Sequence, residues 1–162
     1  MHVAADLSGL DAARRYDALE AELEAVIEGE PDPIANLANA AALIFHGLED
    51  LNWAGFYLMK GGELVLGPFQ GRVACVRIPV GRGVCGSAVA QRRTLKVDDV
   101  HAFPGHIACD AASRSELVVP MFAGREVVGV LDLDSPRPAR FGDEDVLGCE
   151  RLVAILMRQL RL

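Results

Sequence analysis

The stretch "SELVVPMFAGREVVGVLDLD", residues 115–134, decides the fold. Two apolar runs alternate on either side of Ala123–Arg125, which is the pattern of a β-hairpin. A three-residue turn there pairs Phe122 with Glu126, and therefore Glu116 with Asp132. One face of the hairpin then holds Leu117, Val119, Met121, Val127, Leu131 and Leu133, an apolar surface for helices to cover. The other face holds Val118 and Val130 and, near one end, Glu116, Asp132 and Asp134. Asp132 and Asp134 are two residues apart, so their side chains sit roughly 6–7 Å from each other. Three carboxylates on so small a patch repel one another. At least one pKa is expected to rise, leaving a proton donor near neutral pH. A solvated acidic strand end would carry the same residues, so the neighbouring chain has to decide between the two.

Upstream lies "PGHIACDAASRSELVVP", residues 104–120. A cysteine kept for packing normally sits among aliphatic neighbours in a strand or helix. Cys109 instead follows Pro104 and Gly105 and precedes Asp110, Ser113, Arg114 and Ser115. The loop over 98–114 is long for a compact domain, and such loops usually carry function. It runs straight into the Glu116 strand, which brings Cys109 to the acidic patch. His101 and His106 share the loop, but their spacing with Cys109 matches no common zinc geometry. No metal is expected, and His106 is read as shaping the loop or tuning the thiol.

Further out, "NWAGFYLMK" reads as a strand, Gly61-Gly62 as a hairpin turn and "ELVLGP" as the returning strand. Trp53 and Tyr57 share one face of the first strand, with Phe56 and Leu58 on the other. They either fill the core or form an aromatic wall for a sulfonium- or methyl-bearing ligand. "ACVRIPV" reads as a third strand, "TLKVDD" as a fourth, and a short helix spans roughly 86–92. "GRGVCG", residues 81–86, formally fits G-x-G-x-x-G, but hairpins flank it where that fingerprint needs a parallel βαβ unit. Its glycines more simply allow a tight turn that sets Cys85 near a helix start, where a thiolate is favoured.

Both ends of the chain are helical in pattern. Tyr16, Leu19, Leu23, Val26 and Ile27 form one stripe, and Ile34, Leu37, Ala41, Ile44 and Leu48 a second, with a break at Gly29–Pro33. The last helix starts behind Phe141, placed to staple onto Val146, with Asp143, Glu144 and Asp145 complementing the helix dipole. Val146, Cys149, Val153, Leu156 and Leu160 form its stripe, so Cys149 is assigned to the core. The elements make a single α+β domain over 1–162, the helical segment 1–50 packing on a sheet domain, 51–162.

The chain has 162 residues, 51% of them hydrophobic, enough for one core without disulfide staples. A net charge of −7 with dispersed basic residues argues against nucleic acid as a partner. No segment has the length or character of a signal peptide or membrane span, so a cytoplasmic protein is expected. The four cysteines, Cys75, Cys85, Cys109 and Cys149, contain no C-x-x-C. Catalytic or redox-active thiols fit better than a structural framework.

"NWAGFYL", "GPFQGRVACVRIPVGRGVCGSAV", "DVHAFPGHIACDAASRSELVVP" and "GVLDLDSP" together resemble the free methionine-(R)-sulfoxide reductases, a catalytic branch of the GAF domain fold. The resemblance covers roughly residues 50–150. It implies a six-stranded antiparallel sheet, helices on one face and a loop-covered pocket on the other. It also implies a homodimer that needs no cofactor beyond an external dithiol, a thioredoxin-type protein. By motif, Cys109 corresponds to the catalytic cysteine and Cys75 and Cys85 to the recycling ones, with exchange of roles between Cys85 and Cys109 left open. Glu116, Asp132 and Asp134 correspond to the acids that hold the substrate, and Trp53 and Tyr57 to the aromatic wall. On this reading Glu116 and Asp134 supply protons, and Asp132 pairs with the substrate ammonium. Backbone N–H groups over Ile107, Ala108 and Cys109 receive its carboxylate. The rival readings are a non-catalytic GAF sensor for a small metabolite and a thiol peroxidase acting through Cys109.

Overall fold

Asp11 and Asp32 start the first two helices. Their side chains accept the otherwise unpaired N–H groups of Arg14 and Ala35, each at 2.9 Å. The computed structural model describes residues 7, 9–107, 110–160 and 162. In it α1 spans Ala12–Ile27 and α2 Pro33–Gly47. Strands β1 (Trp53–Lys60), β2 (Glu63–Gly71) and β3 (Arg77–Pro79) follow, then α3 (Gly83–Gln91) and β4 (Leu95–Val97). A single 3₁₀ turn over Val100–Ala102 begins the long loop. The chain closes with β5 (Ser115–Ala123), β6 (Glu126–Ser135) and α4 (Asp143–Gln159).

The strands form one six-stranded antiparallel sheet in the order β3-β2-β1-β6-β5-β4. Gly61 and Gly62 both take positive φ, +61° and +88°, as the two-residue turn between β1 and β2 requires. Helices α1, α2 and α4 cover one face. Leu117, Val119, Met121, Leu131 and Leu133 pack there with Tyr16, Leu23, Ile44 and Leu156 in the main core. The other face carries a second core built from Trp53, Tyr57, Ile78, Val118 and Val130 under α3. The pocket side is therefore roofed by a helix as well as by loops. Among the described residues, no helix is long and apolar enough to cross a membrane.

The hairpin register differs from the sequence expectation in an instructive way. The turn holds two residues, since Ala123 pairs with Glu126, and a β-bulge follows between Met121 and Phe122. Each departure moves the register by one, so Glu116 lies opposite Asp134 and Val118 opposite Asp132. Because the sum is two, every residue beyond the bulge keeps its expected face. Between turn and bulge the faces are exchanged. Val127 packs on the pocket-side core, and Val128 takes its place against the helices.

Smaller corrections follow from packing. Ile34 is half exposed, being on the outer side of α2's first turn, and Ala40 completes the buried stripe instead. Val26 and Val146 are only partly buried. Cys149 is fully buried as expected, against the Tyr16 hydroxyl at 3.6 Å. Only Arg77–Pro79 of "ACVRIPV" pairs as a strand, on the sheet edge, and α3 begins at Gly83 rather than near 86.

Candidate active site

β5 and β6 bring the acids together through the register just described. Glu116 and Asp134 are cross-strand partners, and Asp132 lies one pair further along the same face. On the other flank β1 pairs with β6, placing Trp53 opposite Asp134 and Gly55 opposite Asp132. Gly55 has no room for a side chain, since a Cβ there would meet Trp53 at 2.8 Å and Phe69 at 2.3 Å. The Trp53 ring reaches into this space and is stacked on Tyr57 (centroids 5.8 Å) and on Phe69 (5.2 Å). Phe69 was not singled out from the sequence, and its place in "LGPFQG" gives no signal for it.

The polar ends of the aromatic pair are already engaged. The Trp53 indole N–H donates to the Arg72 carbonyl at 3.1 Å, and the Tyr57 hydroxyl to the Cys75 carbonyl at 2.9 Å. Both rings thus hold the segment leading to Cys75 while lining the pocket. Cys75 is disulfide-bonded, whereas Cys85 and Cys149 are free.

Trp53, Tyr57, Cys85, Ile107, Glu116, Asp132 and Asp134 all line one cavity. His106, Asp110 and Ser113 join them from the long loop. Of the residues expected to form the site, Cys109 and Ala108 lie outside the described residues. Their described neighbours Ile107 and Asp110 both face the cavity. The loop is anchored on each side: Gly83 N–H donates to the Gly105 carbonyl at 3.2 Å, and Arg114 N–H to the Ser135 carbonyl at 2.8 Å.

Cys85 enters from the first turn of α3, only 3% exposed, with its sulfur 3.9 Å from Glu116 Oε1. The expectation that the helix start favours its thiolate is not met. Burial, followed by the charges of Asp132, Glu116 and Asp134, pushes the thiol well up. The field of one helix terminus is outweighed by desolvation and three acids.

Burial dominates all three carboxyls; repulsion from Asp132 adds to it at Glu116 and Asp134, whereas hydrogen bonds with Cys85 and Glu116 offset part of it at Asp132. Glu116 and Asp134 are raised well above the usual carboxylate range, and Asp132 to about 7. Near neutral pH the cluster therefore retains protons. Asp110 behaves oppositely. The Ala112 N–H at 2.9 Å, helped by Asn52, holds its carboxyl low, so the loop presents an ionised group. His106 Nε2 stands 3.8 Å from Glu116, yet desolvation and His101 lower its pKa, leaving a neutral imidazole at neutral pH.

Asn52 was missed by sequence reasoning. Its side-chain N–H₂ donates to Asp110 and to the Ser113 hydroxyl, each at 3.1 Å, and Ser113 in turn hydrogen-bonds Asp134. One amide just before β1 thus ties the loop to the acidic strand end. A lone Asn ahead of a strand carries no signal for this.

The cavity thus combines protonated acids, stacked aromatics and the Cys85 thiol. Residues 11–161 match the GAF domain family. The free methionine-R-sulfoxide reductase of Escherichia coli is 54% identical over 145 residues, covering 90% of this chain and 88% of that protein. A reductase of the same description from Saccharomyces cerevisiae is 39% identical, covering 92% and 87%. The X-ray structure of free methionine-R-sulfoxide reductase from Neisseria meningitidis, solved in complex with its substrate, superposes with a TM-score of 0.94. It is 46% identical and covers 98% of this chain and 95% of that one. The chain belongs to the free methionine-(R)-sulfoxide reductases of the GAF domain family. Membership agrees with the observed sheet, its helical face and the opposite pocket, and it disfavours the non-catalytic sensor reading.

Proposed function

We propose that this protein reduces free L-methionine-(R)-sulfoxide to methionine in the cavity between β1, β6 and α3, with a dithiol protein of the thioredoxin type as final reductant. The observation that carries the reading is a disulfide at Cys75, a residue whose carbonyl accepts from Tyr57, itself part of the wall of a pocket of protonated carboxyls. Redox-active sulfur and proton donors are what sulfoxide reduction consumes.

Cys109 is assigned the attack. Its thiolate adds to the electrophilic sulfur of the sulfoxide, since the thiolate rather than the thiol is the nucleophile. Glu116 or Asp134, carrying a proton at neutral pH, protonates the sulfoxide oxygen as the bond from Cys109 to the methionine sulfur forms, giving a hydroxysulfurane. The hydroxyl then transfers to the Cys109 sulfur as the bond between the two sulfurs breaks, with its electron pair staying on methionine. Methionine thus leaves and Cys109 is a sulfenic acid. A second thiol condenses with that sulfenic acid, forming a disulfide and releasing water. Cys75, already oxidised in this structure, is assigned this step with Cys109 as partner. Thiol–disulfide exchange with the external dithiol restores both thiols. Overall, one sulfoxide and one dithiol give one methionine, one disulfide and one water.

Selectivity for the free amino acid rests on the zwitterion's charged ends. Asp132 pairs with the ammonium, and that contact favours its ionised form, while Asp110 adds negative potential from the loop. Backbone N–H groups over 107–109 receive the carboxylate. A residue within a peptide chain has neither charge. We further assign the protein to the cytoplasm and to a homodimer of single-domain chains.

Purified protein with dithiothreitol or thioredoxin, offered the free R epimer, the free S epimer and an oxidised methionine peptide, tests this. Turnover of the free R epimer alone is expected. Turnover of none returns the sensor reading, and reduction of peroxide without sulfoxide turnover the peroxidase one.

A further inference from the structure

We propose that Cys85, Glu116 and Asp132 form a binding site for a thiophilic divalent cation of the zinc class. The Cys85 sulfur and one carboxylate oxygen from each acid lie within 4.8 Å of one another. All three residues are buried, and they project from α3, β5 and β6, three different rigid elements. Asp132 supplies an independent sign of a missing ligand. It is 6% exposed and lines the cavity; its carboxyl hydrogen-bonds Cys85 and Glu116, while its Oδ1 has no hydrogen-bond partner among the described residues. A buried acceptor oxygen left without a partner is costly, and a cation satisfies it.

The donor set decides which cation. Zinc bonds of roughly 2.0–2.3 Å bring tetrahedral ligand atoms to about 3.3–3.7 Å from one another. Side-chain adjustments of an ångström or so therefore close the site from its present spacing. With their protons released to solvent on metal binding, one thiolate and two carboxylates suit zinc, whereas magnesium and calcium call for six or more oxygens. Three protein ligands leave a fourth position open to water. Cys85 is free while Cys75 is oxidised, so the site exists in the disulfide form. A bound cation occupies the space assigned to the sulfoxide and so inhibits the reaction. The metal site itself does not depend on the reductase reading.

Cobalt(II), a spectroscopic substitute for zinc, is titrated into chelator-treated protein with the Cys75 disulfide closed. One equivalent is expected, with a thiolate-to-cobalt charge-transfer band that zinc removes and magnesium does not. Cys85→Ser should lose the band and Cys149→Ser keep it. The isosteric Glu116→Gln, checked for folding by its thermal melt, should weaken binding at least tenfold. No thiolate band in the parent protein overturns the proposal, as does a band surviving Cys85→Ser or a Glu116→Gln affinity within twofold of the parent. Turnover of free sulfoxide without cobalt binding counts against the metal site alone, and cobalt binding without turnover against the reductase reading alone.

Discussion

Asp132 shows how a site acid trades stability for chemistry. Burial raises its carboxyl from 3.8 to about 7, so the folded protein holds a proton that the unfolded chain releases near pH 4. Stability associated with that proton is complete below about pH 4 and is lost as the pH rises through 7. Asp132→Asn removes the titration while keeping the shape. Its melting temperature should match the parent near pH 4 and exceed it by about 4 °C or more at pH 8. A difference that does not change with pH would show that Asp132 is ionised throughout. At this scale the sequence was most informative where alternation alone chooses a face, as for Trp53, Tyr57, Glu116 and Asp134. It misjudged Cys85, because a thiol's pKa depends on burial and on acids from distant strands. Asn52 was invisible because its partners lie 58 and 61 residues away.

Among the elements, α4 and α1 are locked by a contact that periodicity does not report. Tyr16 lies against Gly148, where an added Cβ would stand 2.2–2.5 Å from three ring atoms. The Tyr16 hydroxyl donates to Asp145 at 2.8 Å, and Asp145 also takes Arg140 at 3.0 Å and the Gly142 N–H at 2.8 Å. Gly148→Ala forces the ring out of this arrangement and should cost about 2 kcal/mol or more in denaturant unfolding. Turnover below the melting transition should stay within twofold, since neither residue touches the pocket. Unchanged stability would mean the two helices separate freely. The hairpin carries the complementary lesson. A turn one residue shorter than expected and a bulge at Val128 cancel in parity, so the faces were readable although the register was not. Bulges leave no mark on an alternating apolar run unless a glycine or charge interrupts it.

At the scale of the whole molecule, the two faces of the sheet divide the labour. Three helices seal one face into the main core, and the opposite face, under α3 and the long loop, holds acids, aromatics and sulfur. Hydrophobic patterning made the first face legible, because a continuous apolar surface has to be covered. The second depended on a loop whose path no periodicity describes, and there family resemblance supplied what spacing could not. The proposed mechanism joins these parts: the sulfur of residue 109 attacks substrate inside the acid-lined cavity, and Cys75 resolves the product. Single-turnover release of methionine from reduced protein, with no external dithiol, tests it most directly. Cys109→Ser should release none, while Cys75→Ser should release about one equivalent per site and stop. Equal loss in both variants, or a full equivalent from Cys109→Ser, would contradict it.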